Sequence, residues 1–337
     1  MSEVIEIKPG IHWIGAKDPD LRTFDDLFPT NCGTTYNSFL IKGNDKIAII
    51  DTVKRNRSGE FLAKVQQLID PADVDYYIVN HTEPDHSGSL ALMLEHSPKA
   101  VVVSTQAAKT FLGNLIHTPF ESHVVKDGEV IDLGGRHLRF IIAPFLHWPD
   151  TMFTLLEEDG LLFTCDAFGA HYSGPSIFSD ELPDYSDEMK FYFDCIMRPF
   201  KDKALAAIDK IRGERLEMLC PSHGPIYRKD PWHSINTYEK WCTPSGDDKK
   251  LVIFYLSPHG NTEKMAAAVA KGAAIAGMTT ETCHITQRSA EFIRDLMETA
   301  DEDLYANMGD TLTQLNRQIQ DTKTRLEQYN LQRKASN

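Results

Sequence analysis

The chain has 337 residues, 42% hydrophobic and 25% charged, and a formal net charge of −14 at pH 7. This length is typical of two or three domains, and the composition is that of an ordinary globular protein. The acidic balance argues against a nucleic-acid partner, because phosphate binding requires basic patches. Neither a signal peptide nor an apolar stretch long enough to span a bilayer is evident, so we expect a cytoplasmic protein without a membrane segment.

The cysteine pattern predicts reduced thiols. None of the six cysteines forms a C-x-x-C pair, which excludes a rubredoxin or zinc-ribbon module within this sequence. Their wide spacing fits a cytosolic protein better than a disulfide framework, and we expect small core residues. The six are Cys32, Cys165, Cys195, Cys220, Cys242 and Cys283.

Short β-rich segments alternate with helical patterns over residues 1–245. Gly, Asn and Asp separate many of the predicted strands. Strands mixed with helices predict an α/β layered domain across this range. The predicted strands are residues 38–41, 46–51, 75–80, 100–104, 138–142 and 161–164, and the predicted helices are residues 59–69, 87–94, 105–115, 186–197 and 203–212.

A second unit follows a polar, turn-forming linker at residues 243–248. Residues 251–255 read as a buried strand, residues 263–276 as a helix rich in Ala and Met, and residues 279–285 as a second strand. Together they predict one βαβ unit over residues 250–287.

The last segment, residues 288–337, carries a heptad pattern. Apolar positions recur at alternating spacings of three and four residues, which predicts a coiled-coil helix. The alternative is an amphipathic helix that packs on its own domain. The positions are Tyr305, Met308, Leu312, Leu315, Ile319, Thr322, Leu326 and Tyr329.

Seven candidate metal ligands follow predicted strands, at the ends of segments 75–80, 138–144, 161–165 and 218–220. Functional groups of layered α/β folds collect at such strand ends. Four imidazoles and three carboxylates can hold two metal ions, and structural zinc sites favour cysteine instead. The pattern therefore predicts a catalytic metal pair. The candidates are His81, Glu83, Asp85, His86, His147, Asp166 and His223.

The run from His81 to His86 resembles the H-x-H-x-D-H motif of the metallo-β-lactamase superfamily, with one departure. Glu83 stands where that motif has its second histidine. Zinc hydrolases favour imidazole-rich sites, whereas carboxylates suit harder, redox-active iron, and a bridging carboxylate is typical of non-haem di-iron sites.

The sequence also resembles the flavodiiron proteins (A-type flavoproteins) over about residues 1–285. The matching segments are residues 33–38, 50–53, 80–88, 146–150, 165–169 and 221–224. This resemblance implies a metallo-β-lactamase-like αββα sandwich over residues 1–245. It implies that one iron takes His81, Glu83 and His147, that the other takes Asp85, His86 and His223, and that Asp166 bridges them. His171 is either a donor that orients a ligand or a surface-loop residue, and Trp148 is expected to pack beside the site.

A loop between the strand at 251–255 and the following helix is suited to phosphate, because backbone N–H groups at a helix start attract anions. It resembles the FMN-phosphate loop of a flavodoxin-like domain. Only two strands are predicted here, whereas such a domain has about five, so the segment is a truncated one and FMN binding is doubtful. The loop residues are Ser257, His259, Gly260, Asn261 and Thr262.

The resemblance implies a di-iron oxidoreductase that reduces O₂ to water, NO to N₂O, or both. Electrons would come from a flavin or an external donor of the rubredoxin or flavin-reductase type, and the protein would be a homo-oligomer. Two alternatives remain open: a dinuclear zinc hydrolase that uses a bridging hydroxide, and a non-catalytic, metal-loaded assembly subunit that multimerises through the heptad helix.

Overall fold

The computed structural model describes residues 3–25, 27–243 and 250–287. The chain divides into two compact units, Met1–Thr243 and Pro244–Asn337. Residues 244–249 of the linker region and the whole predicted heptad segment lie outside the described residues, so the division at 1–245, 250–287 and 288–337 stays a prediction.

The first unit contains two large sheets. Their strands are β1 Ile5–Lys8, β2 Ile11–Trp13, β3 Ala16–Asp18, β4 Thr23–Phe24, β5 Phe28–Pro29, β6 Thr34–Tyr36, β7 Phe39–Lys42, β8 Ile47–Ile50, β9 Tyr76–Ile78, β10 Val101–Ser104, β11 Ser122–Val124, β12 Val130–Asp132, β13 His137–Ile142, β14 Met152–Leu156, β15 Leu161–Cys165 and β16 Met218–Pro221. The first sheet has the order β1-β2-β7-β8-β9-β10-β11, and the second has the order β12-β13-β14-β15-β16. Two short ribbons, β3-β6 and β4-β5, complete the described strands of this unit.

Helices cover both outer faces of the two sheets. They are α1 Ser58–Leu68, α2 Pro84–Ser87, α3 Leu90–His96, α4 Gln106–Leu115, α5 Ser186–Tyr192, α6 Lys201–Ile211 and α7 Pro231–Cys242. Helices α1, α3 and α4 pack on the first sheet, and α5, α6 and α7 pack on the second.

The alternation of side chains along each strand explains the layering. Ile41 and Ile50 point between the sheets, where they join Phe163 of the second sheet. Their neighbours Leu40 and Ile49 point to the opposite face and pack with the helices. Successive strand residues face opposite sides, so apolar residues at both parities bury both faces of a strand. The predicted αββα sandwich is thereby confirmed.

One predicted helix differs from the structure. Residues 87–94 do not form a single helix; instead α2 and α3 are separate. Pro84 occupies the first position of α2, and the backbone N–H groups of His86 and Ser87 donate to the Glu83 carbonyl at 2.9 and 3.0 Å. Gly88 then brings the chain close to Arg55, whose backbone nitrogen would lie 2.7 Å from an added Cβ. The periodic apolar pattern of the sequence could not predict this close approach of two chain segments.

Residues 186–197 likewise are not one α-helix. The segment changes to a π-helical turn at Phe193–Met197, immediately before the turn that contains Pro199. The other predicted helices and strands differ from the structure mainly at their ends.

The described part of the second unit is a single βαβ motif. Strands β17 Lys250–Tyr255 and β18 Thr279–His284 pair in parallel, and α8 Asn261–Ile275 connects them. Met265, Val269 and Ile275 of α8 are exposed. Within residues 3–25, 27–243 and 250–287, no helix combines the length and apolar character that crossing a membrane requires.

Replacing Phe163 by Ala should destabilise the first unit. Its ring is buried between the sheets and lies 4.9 Å from the Phe39 ring, centroid to centroid. Truncation of such a residue removes transfer free energy and leaves a cavity, so we expect the free energy of unfolding to fall by about 3 to 5 kcal/mol. Urea denaturation measures it. The control is Leu115→Ala, at a position 45% exposed, where the loss should stay below about 1 kcal/mol; equal losses would contradict the layer assignment.

Candidate metal centre

The seven predicted ligands converge at one edge of the sandwich, beyond the carboxyl ends of β9, β13, β15 and β16. Because β15 and β16 are adjacent and parallel, the residues that follow them meet at the same edge. Glu83 and His147 are partly buried and the other five are buried. The seven are His81, Glu83, Asp85, His86, His147, Asp166 and His223.

Asn80 joins the two sheets at this edge. Its carbonyl accepts the Met152 N–H at 3.0 Å, its Oδ1 accepts the Thr154 hydroxyl at 2.7 Å, and its Nδ2 donates to the Phe163 carbonyl at 3.4 Å. The end of β9 is therefore tied to β14 and β15. This fixes His81, the next residue, relative to the ligands of the second sheet.

The carboxylate just before the short helix α2 and the carboxylate within it belong to different ligand groups. Glu83 precedes the helix with an extended backbone, φ −52° and ψ 141°, and Pro84 begins the turn with a ring suited to that position. Asp85 and His86 lie inside the turn. Glu83 therefore reaches the first of two ligand groups, and Asp85 and His86 reach the second.

The first ligand group contains His81, Glu83, His147 and Asp166. Glu83 Oε2 lies 3.3 Å from His81 Nε2 and 3.0 Å from His147 Nε2. Asp166 Oδ2 lies 3.6 and 3.5 Å from the same two nitrogens. All four side chains offer ligand atoms within 4.8 Å of one another.

The second ligand group contains Asp85, His86 and His223, with the other oxygen of Asp166. His223 Nε2 lies 3.0 Å from Asp85 Oδ2, and His86 Nε2 lies 3.4 Å from Asp85 Oδ1. Asp166 Oδ1 lies 3.0 Å from His86 Nε2 and 3.4 Å from His223 Nε2. The two oxygens of Asp166 thus face different groups.

Several atoms of these groups lack hydrogen-bond partners within the described part of the chain. They are both carboxylate oxygens of Asp85, both oxygens of Asp166 and both ring nitrogens of His86. A buried polar atom without a partner costs free energy, and buried charges are normally paired or coordinate metals. Six such atoms at one place fit a site built for cations.

Asp150 holds His81, a role that was not predicted from the sequence. Its carboxylate is fully buried and lies 3.2 Å from His81 Nδ1. The Thr82 backbone N–H and hydroxyl also donate to it, at 2.8 and 2.7 Å. Because a carboxylate only accepts, His81 Nδ1 carries a hydrogen and Nε2 is left for a metal. The sequence signal that could have indicated this role is the acidic residue three positions after His147.

His223 is held by residues from the β6 strand and the turn after it. His223 Nδ1 donates to the Thr35 carbonyl at 2.6 Å, and the Gly224 N–H donates to the Thr35 hydroxyl at 2.8 Å. Asn37 Nδ2 donates to the Gly224 carbonyl at 2.9 Å. Gly224 has φ +78°, and an added Cβ would lie 2.5 Å from the Ala170 carbonyl oxygen, so glycine is required there.

His171 is buried, so the surface-loop alternative is wrong. Its Nδ1 lies 2.9 Å from the Thr34 hydroxyl, and that hydroxyl lies 3.4 Å from His223 Nδ1. Burial, and then the neighbouring His223, hold the pKa of His171 well below its usual range. Trp148 lies where the sequence predicts it, with its ring 5.0 Å from the His81 ring.

Carboxylates around the metal-free histidines favour their protonated forms. Burial alone would lower the pKa of His81, but hydrogen bonds to Asp150 and Glu83 and the charge of Asp166 outweigh it and raise the pKa to about 10. Burial is likewise outweighed by nearby carboxylates at His86, beside Asp85 and Asp166, and at His147, beside Asp166 and Glu83; the pKa of each is raised to about 10. A bound metal would have to displace these protons.

The predicted phosphate loop forms the connection between β17 and α8. Gly260 adopts a left-handed backbone, φ +74°, directly before the helix. An added Cβ would meet no atom within 4 Å, so glycine is favoured there by the backbone conformation and not by lack of space. Ser257 Oγ accepts the Glu263 N–H at 3.0 Å. His259, Asn261 and Thr262 are exposed. Whether this loop holds a phosphate stays a prediction.

Comparison with known proteins identifies the family. Residues 34–224, more than half of the chain, match the family described as ODP family beta lactamase. The type A flavoprotein fprA of Rhodobacter capsulatus is 37% identical over 278 residues, covering 80% of this chain and 64% of that protein. The flavo-diiron protein FprA2 of Clostridium acetobutylicum is 40% identical over 277 residues, covering 80% and 69% respectively.

A solved structure indicates the same family as these relatives. The rubredoxin oxygen:oxidoreductase from Desulfovibrio gigas superposes with a TM-score of 0.70 at 30% identity, covering 83% of this chain and 71% of that one. The fold is thus that of a β-lactamase-like domain, and the chain belongs to the flavodiiron family. It spans 64% of the length of the Rhodobacter relative.

Asp150→Asn should weaken metal binding at the first ligand group. The amide keeps the volume of the side chain but loses the negative charge that fixes the hydrogen on His81 Nδ1. Loss of such an outer partner typically lowers metal affinity by about 10- to 100-fold. Metal content measured against buffered free metal tests this. The control is Asp20→Asn at an exposed position, and an unchanged affinity in Asp150→Asn would contradict the orienting role.

Metal binding should release protons. At pH 7, below the pKa of about 10 for His81, His86 and His147, these imidazoles carry protons in the metal-free protein. Metal ligation needs the neutral ring, so affinity should rise with pH up to about 10. Calorimetric titration of metal-free protein with Co²⁺, in buffers of different ionisation enthalpy, counts the protons. Heats that do not depend on the buffer would contradict this prediction.

Proposed function

We propose that the first unit is the di-iron domain of an oxidoreductase that reduces O₂ to water, NO to N₂O, or both. The observation that carries the proposal is the position of Asp166, whose two oxygens each face one group of buried ligands. One carboxylate shared by two ligand groups is the arrangement that places two metals side by side.

The ligand chemistry favours iron over zinc. Each ligand group contains two imidazoles and one carboxylate of its own, and it shares Asp166. Carboxylate ligands suit hard, redox-active metals. Glu83, at the position of a histidine in the hydrolase motif, supplies the carboxylate of the first group. Two iron ions, when bound, would supply the redox chemistry and adjacent positions for O₂ or NO.

Access to the centre supports a small substrate. The ligand side chains that solvent reaches best are His147 at 21% and Glu83 at 12%, whereas Asp85, His86 and Asp166 are nearly inaccessible. Approach is therefore from the Glu83–His147 side. Ligands that expose so little surface suit a diatomic molecule better than the ester or amide of a hydrolase.

Electron supply is proposed to come from outside the described residues. The phosphate of FMN would be held where helix α8 begins, by Ser257, His259, Gly260, Asn261 and Thr262. Residues 250–287 contain two strands and no later loop that could cover a flavin ring. FMN therefore fits this part of the chain incompletely, and a donor of the rubredoxin or flavin-reductase type is proposed instead.

We also propose a homo-oligomer located in the cytoplasm.

Metal analysis of the purified chain is the decisive test, followed by O₂ and NO consumption after anaerobic chemical reduction. The expected result is about two irons per chain and consumption of at least one of the gases. About two zincs after growth in iron-rich medium would overturn the proposal in favour of the zinc hydrolase. Two irons without either activity would favour the metal-loaded assembly subunit.

Asp166→Asn should lower metal occupancy at both positions, because the amide keeps one neutral oxygen and no charge, so it can no longer offer one carboxylate oxygen to each ligand group. We expect clearly fewer than two metals per chain and loss of most gas consumption. Asp20→Asn serves as the charge-matched surface control. Retention of two metals by Asp166→Asn would contradict the bridging assignment.

A further inference from the structure

Cys165 lies beside the second ligand group but was not among the predicted ligands. Its thiol offers a sulfur within 4.8 Å of ligand atoms of His86 and Asp166. All three side chains are nearly inaccessible to solvent. Both nitrogens of His86 and both oxygens of Asp166 lack hydrogen-bond partners among the described residues, so the thiol adjoins atoms that are available to a cation.

The backbone of β15 directs Cys165 toward this place. Phe163, two residues earlier, belongs to the core between the sheets, but the regular strand alternation does not continue to Cys165. The pairing of β15 with β16 shifts register between these two residues, and Cys165 has φ +50°. Its carbonyl accepts the Ser222 N–H at 2.7 Å, which fixes the turn into Asp166.

We propose that His86, Cys165 and Asp166 form an alternative site for thiophilic cations such as Zn²⁺, overlapping the second position of the di-iron centre. Iron at that position would use Asp85, His86 and His223 with Asp166, and a softer cation would take the Cys165 sulfur. Soft metals prefer thiolate ligands, and borderline Zn²⁺ accepts sulfur, nitrogen and oxygen together. The inference rests on the proposed di-iron function because it shares His86 and Asp166.

The thiol loses its proton to solvent as the sulfur–metal bond forms, so binding involves no oxidation. A thiol that coordinates a metal ion is deprotonated by that ion. Zinc would then hold the second position in a form that cannot change oxidation state.

Cys220 provides a matched control. It is buried on β16, where it pairs with Phe163 of β15. Burial raises its pKa well above the usual range. Within the described residues, however, it belongs to no group of side chains that could hold a metal. Cys165→Ser and Cys220→Ser thus change the same atom at neighbouring buried positions.

The test loads metal-free protein with Co²⁺ as a spectroscopic substitute for Zn²⁺ and records thiolate-to-cobalt charge transfer in the near ultraviolet. Wild type and Cys220→Ser should bind about two cobalt ions per chain and show the band. Cys165→Ser should bind cobalt without it. Two bound cobalt ions in wild type without the band would overturn the alternative site, whereas failure to bind two would instead count against the metal centre itself.

A second measurement needs no variant. X-ray absorption at the zinc edge of the Zn²⁺-loaded wild type should show a sulfur neighbour at about 2.3 Å. A zinc shell of nitrogen and oxygen alone would overturn the proposal even if Cys165→Ser fails to fold.

In competition experiments, Cys165→Ser should lose about tenfold or more in zinc affinity while Fe²⁺ affinity changes little. Equal losses of affinity for both metals would also overturn the proposal.

Discussion

The requirement to hold charged groups inside the protein governs the structure at the ligand edge. Four imidazoles and three carboxylates lie there, and most are almost inaccessible to solvent. Burying unpaired charges is unfavourable by several kcal/mol per ion. The carboxylates face imidazoles at 3.0 to 3.6 Å, but Asp85, His86 and Asp166 still lack hydrogen-bond partners among the described residues. Bound cations would satisfy these atoms, which is the physical basis of the proposed metal centre.

The ligands are held by residues that are not ligands themselves. Asn80 ties the end of β9 to the second sheet, Asp150 fixes the hydrogen of His81, and Thr35 fixes that of His223. The hydrogen bonds to Asp150 and Thr35 each leave the other ring nitrogen facing the ligand groups. Orientation of this kind tunes a metal as much as the ligands do, so two proteins with the same seven ligands can still differ in metal affinity.

The residue patterns were enough to predict an α/β layered domain and a group of candidate ligands that follow strand ends. The αββα sandwich was predicted from the resemblance to a known family, and the alternation along the strands explains its layers. The break between α2 and α3 was not predictable, since it depends on the approach of Gly88 to Arg55. Asp150 and Cys165 were missed for a similar reason: contacts across the fold, and a left-handed backbone at Cys165, decide where they point.

The ligands are also widely separated along the chain, and this separation has a consequence for folding. His81 and His86 belong to the turn after β9, whereas Asp166 and His223 follow strands about 80 and 140 residues later. No short peptide contains enough ligands to capture two ions, so the centre exists only after both sheets have closed on each other. Metal entry would consequently be a late event, because it has to follow the packing of the two sheets against each other.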